Sequence, residues 1–103
     1  MTDAITAQEF SDSDGVADWT VAAGSAESAG VTAEFATKDF ATGLRLVNKI
    51  GELAEAANHH PDVDLRYGSV TVRLSSHDIG GLSRRDAKLA AQISRAAAEL
   101  GLS

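Results

Sequence analysis

The segment from Asp39 to Asn58 reads as one long amphipathic helix, and it constrains the rest of the chain more than any other stretch. Phe40, Leu44, Val47, Gly51, Ala54 and Ala57 fall on one stripe at helical spacing, while Leu46, Ile50 and Leu53 fall on a second beside it. That apolar arc is wider than packing on one sheet requires, so the helix needs a second apolar partner. With 103 residues to build from, a second copy of the chain is the expected one, the plainer alternative being a deeply buried helix. The helix ends at Asn58-His59-His60-Pro61, because the residue before a proline is pushed out of the helical region.

The flanking segments alternate instead. Trp19-Thr20-Val21-Ala22-Ala23 alternates weakly and Val31-Thr32-Ala33-Glu34-Phe35 at period two, which predicts an antiparallel pair. Their connection, Gly24 to Gly30, is longer than a tight hairpin turn and is expected to be a loose loop without functional residues. Beyond Pro61, Val63, Leu65 and Tyr67 occupy odd positions, and Val70, Val72 and Leu74 even ones. The phase change falls across Gly68-Ser69 and predicts a two-residue turn there, with positive φ at Gly68.

Ser83-Arg84-Arg85-Asp86 is a capping box, with Leu82 as the staple residue before it. It opens a helix through Leu89, Ala90, Ile93, Ala97 and Leu100 that Gly101 stops. At the other end Thr6 and Glu9 form a second box, flanked by Ile5 and Phe10, before the acidic turn-forming run Ser11 to Gly15. After a short N-terminal helix the order is therefore β-β-α-β-β-α. This predicts an α+β, two-layer fold in which helices cover one face of a four-stranded antiparallel sheet. Residues 1–103 are expected to form a single domain around one core.

Fifteen Asp and Glu against nine Lys and Arg leave a formal charge of -6, which repels a phosphate backbone and disfavours membrane adhesion. Neither nucleic acid nor membrane is expected as a direct partner. The absence of cysteine removes disulfides, thiolate nucleophiles and thiolate zinc cages, and suits a reducing compartment. The N-terminus lacks a basic and then apolar leader pattern, and no run reaches the roughly 18 apolar residues of a spanning helix, so a cytoplasmic location is expected.

All three histidines lie in two short stretches, His59-His60 and His77. An imidazole with an unperturbed pKa near 6.5 both gives and takes protons at neutral pH, so this clustering suggests acid–base chemistry. Adjacent side chains in extended backbone diverge, so one of His59 and His60 can face a pocket while the other braces it. The plainer alternative is a polar helix end in which imidazolium meets the negative end of the dipole. His77 follows the fourth strand, near a glycine loop and a helix start. Glu55, one turn before His59, can reach the same region and accept an imidazole N–H, or be an ordinary solvated carboxylate. Asp86 is first a capping residue, which does not exclude a pocket position. Zinc is the competing use of three histidines and a carboxylate, but His-xxx-His spacing is absent and neighbouring histidines seldom chelate one ion. No metal and no cofactor are expected.

Taken together, Glu55-xxx-His59-His60-Pro61, Tyr67, Val70, Leu74-Ser75-Ser76-His77 and Gly81-Leu82-Ser83-xx-Asp86-xx-Leu89-Ala90-xx-Ile93 resemble the pterin-4a-carbinolamine dehydratase family. Trp19, Phe35 and Phe40 are weaker matches upstream. The resemblance implies removal of water from 4a-hydroxytetrahydrobiopterin to give quinonoid dihydrobiopterin, in recycling of tetrahydrobiopterin. It also implies a two-layer fold that assembles through sheet edges into homodimers and through the long helices into homotetramers. By the same resemblance His59 and His77 stand nearest the proton transfers, His60 binds the pterin, and Glu55 and Asp86 orient imidazoles or meet the ring. Val63-Asp64 departs from the family, whose members often carry an aromatic soon after His-His-Pro. A non-catalytic dimerisation or assembly module on the same fold is the alternative.

Overall fold

The structure is a computed structural model that describes residues 5–21, 30–75 and 82–102. Helix α1 (Ala7–Ser11) begins in the expected capping box: the Glu9 N–H donates to Thr6 Oγ1 at 3.0 Å and the Thr6 N–H to Glu9 Oε1 at 2.8 Å. Phe10 is buried in the core and Ile5 packs against the same cluster. The Ile5 N–H also donates to the Leu82 carbonyl at 3.1 Å, which ties the start of the chain to the entrance of the last helix.

Strands β1 (Thr20–Val21), β2 (Val31–Ala36), β3 (Asp62–Arg66) and β4 (Ser69–Leu74) form one antiparallel sheet in the order β1-β2-β4-β3. Directly paired residues point to the same side of a sheet. The pairs Val31–Leu74, Ala33–Val72 and Phe35–Val70 therefore share a face, which Val63 and Leu65 join opposite Val72 and Val70. The opposite face carries Thr32, Glu34, Thr71, Arg73, Asp62 and Asp64, so period-two patterning decides which side is covered. Helices α2 (Phe40–Ala57) and α3 (Arg84–Glu99) complete the core with Leu46 and Ile50 from the first and Leu89, Ala90 and Ile93 from the second. The architecture is the α+β arrangement read from the sequence.

The β3–β4 turn differs by one residue. Arg66 pairs with Ser69, so the loop is Tyr67-Gly68, and Gly68 does not take positive φ. The cause is tertiary: Ala36 of β2 pairs with Ser69, and the Thr37 N–H donates to the Gly68 carbonyl at 2.9 Å, which draws Ser69 into the sheet. A two-residue loop still explains the phase change, but Tyr67 is left in the turn at 72% exposure rather than on the strand. The Gly24–Gly30 connection falls mostly on residues 22–29, outside the described residues.

On α2, Asp39 caps the N-terminus by accepting the Thr42 N–H at 2.8 Å. Gly43, Leu46, Ile50 and Ala54 face the core. Phe40 and Leu44 stay 47% and 43% exposed, and an added Cβ at Gly51 would meet no atom within 4 Å. The outer part of the wide apolar arc thus has no cover within this chain's described residues.

Candidate active site

The C-terminus of α2 delivers the two histidines. Asn58 takes the left-handed conformation (φ 50°, ψ 42°), its N–H donates to the Glu55 carbonyl at 3.2 Å, and the His59 N–H reaches back to Ala54 at 3.1 Å. This pair of bonds is a Schellman closure, with asparagine where glycine is commoner. It reverses the chain so that His59 turns inward, to 9% exposure, while the side chain of His60 stays 57% exposed. The two imidazoles diverge as two adjacent side chains should.

Each imidazole meets one carboxylate. His59 Nε2 lies 2.6 Å from Asp86 Oδ1, within the interior. His60 Nε2 pairs with Glu55 Oε2 at the surface, so Glu55 serves His60 and not the nearer-seeming His59. The exposed pair contributes at most about 1 kcal/mol, since water competes for both groups. The buried pair is another matter, because a carboxylate taken out of water must be given donors.

Asp86 has them. It is fully buried at the third position of α3, where its Oδ2 accepts the Ser83 N–H at 2.9 Å and the Ser83 hydroxyl at 3.3 Å. The positive end of the α3 dipole adds to these. One carboxylate thus caps the helix with Oδ2 and meets His59 with Oδ1, so capping and contact with an imidazole coexist in Asp86. The result is an imidazole fixed in place and backed by a carboxylate, an arrangement able to exchange a proton with a ligand.

Of the residues singled out in the sequence, His59 and Asp86 come together, and His60 and Glu55 form a separate pair beside them. His77 lies outside the described residues. Arg84 is exposed at the first position of α3. Ser83 and Asn58 support this arrangement without being among the site residues expected from the sequence. The Ser83-xx-Asp86 spacing was a signal for the first, and an asparagine just before a helix-ending His-His-Pro for the second. Among the described residues no three His, Cys, Asp or Glu side chains converge as a metal cage would need. No described helix is long and apolar enough to cross a membrane. A groove of about 690 Å³ runs between Ser13–Gly15 and Lys88, Gln92 and Arg95 of α3, and neither His59 nor Asp86 lines it.

Residues 1–96 match the family described as pterin 4 alpha carbinolamine dehydratase. A Koribacter versatilis protein provisionally named as such a dehydratase is 48% identical over 56 residues, which are 54% of this chain and 60% of that protein. An Aquifex aeolicus protein named in the same way is 43% identical over 67 residues, 65% of this chain and 68% of its own length. The chain spans about three-fifths of the length of the first of these relatives. Among solved structures, a transcriptional coactivator/pterin dehydratase from Brucella melitensis superposes with a TM-score of 0.76 at 28% identity, covering 90% of this chain and 97% of that one. A pterin dehydratase-like protein described as a RuBisCO assembly factor of the alpha-carboxysome shares the fold, with a TM-score of 0.66 at 16% identity over 82% of this chain and 95% of its own.

Proposed function

Since the chain belongs to the pterin 4 alpha carbinolamine dehydratase family, we propose that it removes water from 4a-hydroxytetrahydrobiopterin to give quinonoid dihydrobiopterin, in tetrahydrobiopterin recycling. The observation that carries the reading is the buried His59–Asp86 pair, at 2.6 Å, in the family's histidine segment. Loss of a 4a-hydroxyl needs an acid for the departing oxygen and a base for a ring proton, and two imidazoles can divide those tasks. His59, oriented by Asp86, is one; His77 is assigned the other. The surface pair His60–Glu55 is assigned to binding the pterin rather than to moving its proton.

A non-catalytic assembly module on the same fold is the competing reading. It is favoured by the exposure of Phe40 and Leu44 on α2, a face suited to a second copy of the chain in a homodimer or homotetramer. The α3 cap that Asp86 supplies would serve either kind of protein, whereas the buried imidazole of His59 gains a use only where a proton is moved. The test is the rate at which purified protein dehydrates 4a-hydroxytetrahydropterin generated in situ, beside His59→Ala. Turnover should fall roughly 100-fold or more in the variant if His59 transfers a proton. A folded wild-type protein without acceleration would leave the assembly reading in its place.

A further inference from the structure

We propose that His59 exchanges its proton through Nδ1, and that Ser83 is a positioning residue that enforces this choice through Asp86. The inference rests on the dehydratase reading above and specifies how that site works. A neutral imidazole carries one proton, and the nitrogen that faces a carboxylate keeps it, because a carboxylate only accepts. Nε2 is that nitrogen, 2.6 Å from Asp86 Oδ1. Nδ1 is then the nitrogen with a free lone pair, and among the described residues none supplies it with a hydrogen bond.

Ser83 sets the geometry from the far side of the carboxylate. It is fully buried, and its N–H and O–H both donate to Asp86 Oδ2, at 2.9 and 3.3 Å. Two donors on one oxygen fix the carboxylate with its other oxygen turned toward His59, and because that oxygen only accepts, the proton it meets is the one on Nε2. In the reaction, the Nδ1 lone pair takes the proton of the ring nitrogen beside the carbinol carbon. The freed N–H electrons form the C=N bond as the C–O bond breaks, and the oxygen leaves as water with a proton from a separate general acid. His59 becomes an imidazolium whose Nε2–H remains on an ionised Asp86.

Asp86→Asn separates this from a purely structural role. The Ser83 donors would claim the amide oxygen, so the amide NH₂ would point at Nε2, donate to it and force the His59 proton onto Nδ1. The experiment records the tautomer of His59 by NMR of protein labelled with ¹⁵N-histidine, assigned with His59→Gln, together with kcat and KM. Wild type should show the Nε2–H form. Asp86→Asn should show the Nδ1–H form and a kcat lower by roughly 10³- to 10⁴-fold with little change in KM, the effect expected of a wrong tautomer. Ser83→Ala should lower kcat about tenfold, as loss of an outer partner does, with rescue by Ser83→Thr. An Nδ1–H tautomer in an active wild type overturns the proposal, as does Asp86→Asn that keeps both tautomer and turnover. The predicted tautomers in a wild type without turnover would sink the dehydratase reading and leave the nitrogen assignment standing.

Discussion

Replacing Gly51 by alanine tests whether the outer face of α2 is open in solution. Gly51 lies well inside an 18-residue helix, where glycine is about 0.8–1.0 kcal/mol less favourable than alanine because its unfolded backbone has more freedom to lose. No atom lies within 4 Å of the added methyl, so no clash offsets the gain. The full increment of about 1 kcal/mol should appear, which for a domain of this size raises Tm by roughly 4–8 °C. Gly43→Ala is the matched control on the inner face of the same helix. Its methyl would sit 2.8 Å from Leu65 Cδ1 and 3.4 Å from Val70 Cγ2, so Leu65 must move and the gain is reduced or reversed. The assay is thermal and urea unfolding by circular dichroism at several protein concentrations. A midpoint for Gly51→Ala that is unchanged or lowered refutes the reasoning. A lowered midpoint beside a wild-type midpoint that itself rises with protein concentration would show a second chain packed closely on Gly51.

Two further perturbations address the core and the start of α2. The Trp19 indole N–H donates to the Ala90 carbonyl at 3.1 Å and to Ser94 Oγ at 2.9 Å, while its ring stands edge-on to Phe35. Trp19→Phe removes that donor from a buried position and should lower the unfolding free energy by about 1–3 kcal/mol in urea titrations; a loss below 0.5 would deny the bond a stabilising part. Hydrogen bonds from Thr42, its hydroxyl first and its backbone N–H second, hold the Asp39 carboxyl below the usual aspartate range. The unfolded chain therefore takes up this proton first on acidification. The stabilisation is complete above the unfolded pKa, near 4, and is lost as pH falls through the lower folded value. Asp39→Asn should give a shallower acid limb in stability measured from pH 6 to 2, and superimposable limbs would contradict the assignment.

The site was legible where local chemistry decides it and not where the fold brings distant groups together. His59 and His60 stood out because imidazoles at neutral pH are chemically distinctive, and Asp86 because its capping position is a matter of three-residue spacing. Nothing local could pair Glu55 with His60 rather than His59. That depended on Asn58 entering the left-handed region, which closes the helix and turns one imidazole in and the other out. Nor could spacing join His59 to Asp86, 27 positions apart, since their distance is set by how α2 and α3 pack on one sheet.

The same division runs through the fold. The sequence by itself determined the elements, their order and the buried face of β2, β4 and α3, because periodicity, capping boxes and glycine stops act within a few residues. Tertiary structure decided the strand order that places β4 between β2 and β3, the one-residue shift of the β3–β4 turn, and which half of the wide α2 arc is covered. Those outcomes follow from competition among partners: Ser69 joins β4 because β2 pairs with it, and Leu46 and Ile50 are buried because the sheet and α3 meet that side of the helix. A pattern in the chain can state that a surface is apolar; only packing states what lies against it.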